Sequence, residues 1–226
     1  YWELIEPQES KFDFTLVDAM IHQAREKDLH LVLLWFGTWK NSMSCYVPHW
    51  IKEDYKRFPR TLYADGKPAE IVSPFCENAL NADIKAFSEL MKHIQSVDEK
   101  EQTVLMVQVE NEIGQLPDAR DYSALANKAF QADVPKELMD YLSKNKKNLL
   151  PSIENLWASN GYRQKGNWES VFGKSLATDE LFMAWNYAVY ADKVAAAGKS
   201  VYALPMYVNC ALNRPNYRPG QYPSGG

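Results

Sequence analysis

The stretch "VLMVQVENEIG", residues Val104 to Gly114, runs apolar and then stops in a carboxylate, an amide and a second carboxylate: Glu110, Asn111 and Glu112. A bare charge at the end of a buried strand is costly, so acids placed there point to work that needs them. With a side-chain period of two, Gln108, Glu110 and Glu112 share one side of the strand, and Val107 and Val109 the other. A partly desolvated carboxyl beside a second one has a raised pKa and serves as a general acid at neutral pH. Glycoside hydrolysis uses that chemistry: one acid protonates the leaving oxygen while another attacks or activates water. Glu110 is a poor partner for it, because residues i and i+2 of a strand lie about 6.6 Å apart at Cα and share one edge of a substrate. Glu112 is then the proton donor and Glu110 a supporting residue. The same pattern also suits a structural network in which both acids pair with Arg or Lys, and the residues alone leave the two readings open.

Three helix-then-strand units position this strand end. "FTLVDAMIHQAREKD" opens with Thr15 and Asp18 in a capping pattern, spaces Leu16, Ala19, Met20 and Ala24 helically, and precedes the apolar run "LHLVLLWFG". "ADIKAFSELMKHIQSV" places Ile84, Phe87, Leu90, Met91 and Ile94 on one helix face before the strand that ends at Glu110. "TDELFMAWNYAVYADKVAAAGK" begins at Thr178 as N-cap and ends at Gly198, and "SVYALPMYVN" reads as another buried strand. Apolar, non-alternating strands between helices imply a parallel sheet covered by helices, open or closed into a (β/α)8 barrel. No glycine-rich phosphate loop follows any strand, which weakens the nucleotide-binding version. A long aromatic-rich insert, 41–81, contains a hairpin turning at Asp65-Gly66 and walls a pocket. The regions 115–133 and 149–175 read as irregular and follow the same strand ends.

Composition narrows the classes further. The chain has 226 residues, 46% of them hydrophobic, enough for one sizeable core. With 25 basic against 29 acidic residues and no basic tract, it carries no footprint for nucleic acid or an anionic membrane surface. No apolar stretch approaches the roughly 20 residues a bilayer span needs, and no signal peptide is expected. Cys45, Cys76 and Cys210 argue against a disulfide framework while leaving one bridge open. His22, His30, His49 and His93 lack metal-ligand spacing, so neither a metal nor another cofactor is expected.

The chain resembles the glycoside hydrolases of clan A, specifically the family 35 β-galactosidases. "QVENEIG" is similar to that family's strand-four motif, "WELIEPQESKFDF" to its strand-two loop, and "VPHWI" to the segment after strand three. "TDELFMAWNYAVYADKVAAAGKSVYALPMYVN" and "YPSGG" are similar to a bacterial branch. The resemblance implies an incomplete (β/α)8 TIM-barrel catalytic domain over residues 1–226, from about the end of strand two to strand five or six. It implies a retaining exo-β-galactosidase that releases terminal β-galactose from oligo- or polysaccharide outside the bacterial cytoplasm. Glu112 is then the acid/base, Asn111 bonds the sugar 2-hydroxyl, and the nucleophilic glutamate lies beyond Gly226. "WKN", Trp39, Lys40 and Asn41, stands where better-known members have an alanine-glutamate pair that binds galactose, and departs from it; Lys40 and Asn41 offer donors for sugar hydroxyls, and Trp39 serves by stacking or else by loop packing. Tyr207 and Asn209 line the pocket or fill the core, and Trp2 and Glu6 serve mainly as scaffold, with Trp2 the one of the two that could also reach the sugar from the second strand. A related clan A β-glycosidase and a non-catalytic carbohydrate-binding barrel remain as alternatives.

Overall fold

Three parallel strands form the sheet that carries the site, as seen in a computed structural model that describes residues 1–211. In chain order the first elements are α1 (Trp2–Ile5), α2 (Thr15–Glu26), β1 (Leu31–Trp35), α3 (His49–Glu53), β2 (Arg60–Leu62), β3 (Pro68–Val72), α4 (Glu77–Asp98) and β4 (Val104–Val109). There follow α5 (Ala124–Gln131), α6 (Lys136–Lys144), a 3-10 turn (Lys146–Asn148), α7 (Pro151–Ala158), α8 (Trp168–Phe172), α9 (Leu176–Val201) and β5 (Met206–Tyr207).

β4 lies between β1 and β5, parallel to both. Its register pairs Leu34 with Gln108 and Trp35 with Val109 on one side, and Gln108 with Tyr207 on the other. Partners in register share a face. Leu33, Trp35, Val107 and Val109 are buried toward the helices, whereas Val32 (45% exposed) and Leu34 (49%) look onto an open face. Helices over one face and, among the described residues, an open opposite face make this part of a (β/α)8 barrel, the expected architecture.

Two long helices close the covered side. α4 starts at Cys76, whose sulfur accepts the Ala79 N–H at 3.4 Å, and buries Phe87, Leu90, Met91 and Ile94. α9 packs along it, and Gly198 permits the close approach: a Cβ there would stand 2.3 Å from Phe87 Cε1. Gly198 is therefore a packing residue inside the helix and not its end. α9 runs on through Val201, its N-cap is Ser175 and not Thr178, and the strand expected over Ser200 to Asn209 shrinks to Met206–Tyr207.

Other expectations shift for local reasons. In α2 the buried positions are Val17, Ile21 and Ala24, while Leu16 and Met20 are exposed, so the helix is rotated from the expected face. Its first turn is held by Asp13, which accepts the Thr15 N–H at 2.9 Å, and not by a Thr15 cap. The insert 41–81 does hold the hairpin turning at Asp65-Gly66, with Gly66 at φ +82. The stretches 115–133 and 149–175 contain α5, α7 and α8 instead of irregular chain. All three cysteines are free, and "YPSGG" lies outside the described residues.

Candidate active site

The insert and the β4 end are fastened to each other by Asp121. Its carboxylate accepts from Leu62 N at 3.0 Å in the hairpin, Ser73 Oγ at 2.6 Å, and Ser123 N at 2.7 Å ahead of α5. Asp118 adds a bond from Ala64 N at 2.7 Å. The loops over the strand ends are thereby built from several segments at once, the arrangement in which barrel enzymes assemble their sites.

Asn111 is the hub of the strand end. Its Nδ2 donates to the Lys40 carbonyl at 2.7 Å, and its Oδ1 accepts from Gln108 Nε2 at 3.1 Å and Asn209 Nδ2 at 2.9 Å. Asn209 Oδ1 in turn accepts the Glu112 N–H at 2.9 Å. These bonds tie together the ends of β1, β4 and β5. An amide nitrogen carries two hydrogens, so Asn111 keeps one N–H for a further acceptor. Glu112 is partly exposed, and its carboxylate has no hydrogen bond or ion pair among the described residues. The structural network of Arg or Lys that the sequence left open therefore does not hold Glu112.

Glu110 goes elsewhere. The strand ends at Val109, and Glu110 (φ +61) and Glu112 (φ +42) both sit in the left-handed region, which costs a non-glycine residue roughly 1–2 kcal/mol. That twist breaks the alternation by which Gln108, Glu110 and Glu112 were to share one side. Gln108 stays level with Asn111, its Nε2 also donating to the Glu110 carbonyl at 2.8 Å. The Glu110 side chain turns into the layer beneath, where it is 1% exposed beside Asp83 of α4. Burial first, and then the nearby Asp83 carboxyl, raise its pKa well above the ordinary Glu value of 4.5.

The remaining sequence-assigned residues divide. Trp39 is 0% exposed; it packs edge-on against Tyr187 and Tyr190 and donates to the Val72 carbonyl at 3.2 Å. A stacking platform needs an open ring face, so packing replaces that role. Lys40 serves the hub through its carbonyl, and Asn41 Oδ1 accepts Met43 N at 2.9 Å and Ser44 N at 3.0 Å, which closes its own turn. Asn209 positions its neighbours by donating to Asn111 and accepting from Glu112, and its Nδ2, like that of Asn111, keeps a second N–H. Tyr207 remains exposed on the face of Gln108. Trp2 Nε1 donates to the buried Glu6 at 2.7 Å, in keeping with scaffold.

Two features escaped the sequence reading. Asp83 sits on the apolar stripe of α4, four residues before Phe87, and an acid inside such a stripe was the available signal. Tyr1, Phe36 and Tyr46 stack on each other just past the end of β1, with Tyr1 and Tyr46 centroids 4.1 Å apart; nothing in the periodicity marks them.

A helix-backed parallel sheet whose strand ends gather an amide and an acid is the architecture of the barrel glycoside hydrolases. Residues 1–173 match glycoside hydrolase family 42, described as Beta-galactosidase, and the chain belongs to that family. Family 35 is thereby corrected: the Asn-Glu pair is shared among related barrels and does not separate them, and "WKN" was already a departure from the family 35 pattern. Among solved structures, the β-galactosidase of Bacillus circulans sp. alkalophilus aligns at 15% identity and TM-score 0.57, over 92% of this chain and 31% of its own. The β-galactosidase of the psychrophilic Marinomonas ef1 aligns at 11% identity and TM-score 0.60, over 92% and 31%. The catalytic domain of β-amylase from Paenibacillus polymyxa aligns at 15% and TM-score 0.53, over 91% and 56%. At these identities the likeness is one of fold, and the chain spans under a third of the length of the two β-galactosidases. No curated protein matches the chain by sequence.

Proposed function

We propose that these residues carry the general acid/base of a retaining exo-β-galactosidase, with Glu112 as proton donor and Asn111 as the partner of the sugar 2-hydroxyl. The observation that carries this reading is the asymmetry of the strand end. Asn111 is held rigidly by Lys40, Gln108 and Asn209, while the neighbouring Glu112 carboxylate is left without a partner among the described residues. A fixed amide with one N–H in reserve suits a hydroxyl contact that strengthens as positive charge develops at the sugar. An unpaired, partly exposed acid suits proton transfer to a leaving oxygen.

A retaining mechanism needs a second carboxyl about 5 Å from the first. The network around Asn111 and Glu112 contains no second carboxylate side chain among the described residues, and Glu110 faces the opposite layer. The reading takes its nucleophile from a strand outside these residues, in keeping with the share of the β-galactosidases that the chain covers. With Trp39 buried, the contacts that select galactose rest on Asn111, Lys40, Asn41, Tyr207 and Asn209 together with groups from outside these residues.

The test is Glu112→Gln in the full-length protein. Turnover of a β-galactoside with a poor leaving group falls about 10²- to 10⁴-fold while galactose binding is retained. An unchanged rate removes Glu112 from the mechanism. A parallel panel of aryl β-galactoside, β-glucoside and β-mannoside reads the sugar preference, and faster hydrolysis of a glucoside or mannoside would overturn the galactosidase assignment.

A further inference from the structure

Directly beneath the site lies a pair of carboxyls that the proposed chemistry does not use. Glu110 accepts the Thr38 N–H at 3.1 Å and the Trp39 N–H at 2.9 Å. Asp83, wholly buried, accepts Trp35 Nε1 at 2.9 Å, Thr38 N at 3.1 Å and Thr38 Oγ1 at 2.7 Å. The Thr38 N–H is thus shared by both carboxyls, which also bond to each other. Gly37 makes room for them: a Cβ there would stand 2.6 Å from Glu110 Oε1 and 2.8 Å from Asp83 Oδ1.

Among the described residues, no neutralising charge pairs with the two carboxyls. Tyr190 of α9 lies 2.7 Å from Thr38 Oγ1, and since that hydroxyl donates to Asp83, Tyr190 donates to it. The Cys76 thiol at the α4 N-cap is the other titratable neighbour, and no Lys or Arg among the described residues bonds either carboxyl. Two touching carboxyls in a dry layer without a cation do not both ionise. Asp83 accepts from three donors, Trp35 Nε1 and the N–H and O–H of Thr38, against two backbone N–H groups for Glu110, so the negative charge is the better held on Asp83 and Glu110 holds the proton.

We propose that Asp83 and Glu110 are a positioning pair for the Asn111–Glu112 strand end, joined by one shared proton and acting through the turn 38–40. The inference rests on the reading of Glu112 as acid/base. Glu110 grips the N–H groups of Thr38 and Trp39, and the next residue, Lys40, offers the carbonyl that anchors Asn111. When Glu110–OH gives its proton to solvent, two carboxylates face each other, the grip on the turn loosens, and Asn111 loses its fixed acceptor.

Three variants of the full-length protein test this. Glu110→Gln puts an N–H where the acid had its O–H, keeps an oxygen for Trp39 and removes the titration. It is expected to keep near wild-type kcat at neutral pH and to hold that rate to higher pH than the wild type does. Glu110→Ala and Asp83→Asn break the pair and lower kcat by about 100-fold with little change in KM. Difference infrared spectroscopy gives a readout independent of turnover: a protonated-carboxyl band at neutral pH in the wild type, absent from Glu110→Gln. No such band in the wild type, an alkaline decline in Glu110→Gln identical to the wild type, or an unaltered kcat in Glu110→Ala would each overturn the proposal. Should Asp83→Asn not fold, the Glu110 pair of variants still decides. An active Glu112→Gln alongside an intact infrared band would instead strike the acid/base reading and leave the shared proton standing.

Discussion

At the scale of single residues, two buried acids set opposite pH dependences. Asp98 accepts Val104 N at 2.7 Å, Thr103 N at 3.1 Å and the Arg25 guanidinium. Burial pushes its carboxyl up, but those donors together outweigh burial and hold it below the ordinary Asp value of 3.8. Its stabilisation is present above that value and is lost as pH falls through the lowered one. Glu110 is the reverse case. The folded state keeps a proton that the unfolded chain releases near 4.5, so its contribution is full below that pH and is lost as pH rises through the raised value. Each proton so held changes stability by at most about 1.4 kcal/mol per pH unit. Thermal melts across pH should therefore show Asp98→Asn flattening the acid side of the stability curve and Glu110→Gln flattening the alkaline side; the opposite pairing would refute both assignments. Neither role was legible beforehand. Strand alternation put Glu110 beside Glu112, because periodicity encodes regular backbone and not the left-handed φ that turned Glu110 downward. Asn111 and Glu112 were legible, since an amide and an acid at the end of an apolar strand are visible as residue types alone.

At the scale of elements, the packing of α9 on α4 decides where the strand end sits, because Tyr190 and Asp83 approach Thr38 from these two helices. Gly198 lets them close. A Cβ would meet Phe87 Cε1 at 2.3 Å and Met91 Cγ at 3.1 Å, and the Phe87 ring is itself wedged against Trp35 at a centroid distance of 5.5 Å. Gly198→Ala is expected to destabilise by about 1–3 kcal/mol, the range for overpacking a core, despite the better helix propensity of alanine. A melting temperature equal to or above the wild type would show that the helices yield freely there. The same glycine misled the sequence reading. A glycine after an amphipathic run commonly marks a helix end, and only a tertiary neighbour reveals one kept for close approach. Asp121 is the counterpart among the loops, joining the hairpin to the chain ahead of α5. Asp121→Ala leaves the N–H groups of Leu62 and Ser123 without their acceptor and should detach the hairpin, seen as faster proteolysis at residues 60–72 with β4 still protected from hydrogen exchange. The hairpin itself was readable from Asp65-Gly66, whereas its fastening, made by a side chain far along the sequence, was not.

At the scale of the molecule, the sheet is covered on one side and, among the described residues, open on the other. β1 and β5 are its outer strands among the described residues, and Val32 and Leu34 of β1 are about half exposed. Beside β5 a further apolar groove of about 470 Å³ runs between Ala188, Ala191 and Ala195 of α9 and Met206 and Val208. In a closed barrel such surfaces are interior or paired. The 226-residue polypeptide produced by itself should therefore bind a hydrophobic dye strongly and associate as its concentration rises, because unpaired strand edges and apolar faces seek partners. Replacing Leu34 by Lys places a charge on the open face without touching the helix-facing residues Leu33 and Trp35. That variant should bind less dye and sediment as a smaller species while its far-ultraviolet circular dichroism stays that of the parent chain. Within the full-length enzyme the proposed function predicts the opposite ranking: the same substitution buries a charge in a closed barrel and should lower stability by several kcal/mol. A parent polypeptide that is monomeric and silent toward the dye, or a Leu34→Lys substitution harmless in the full-length protein, would show that this face is not a barrel interior.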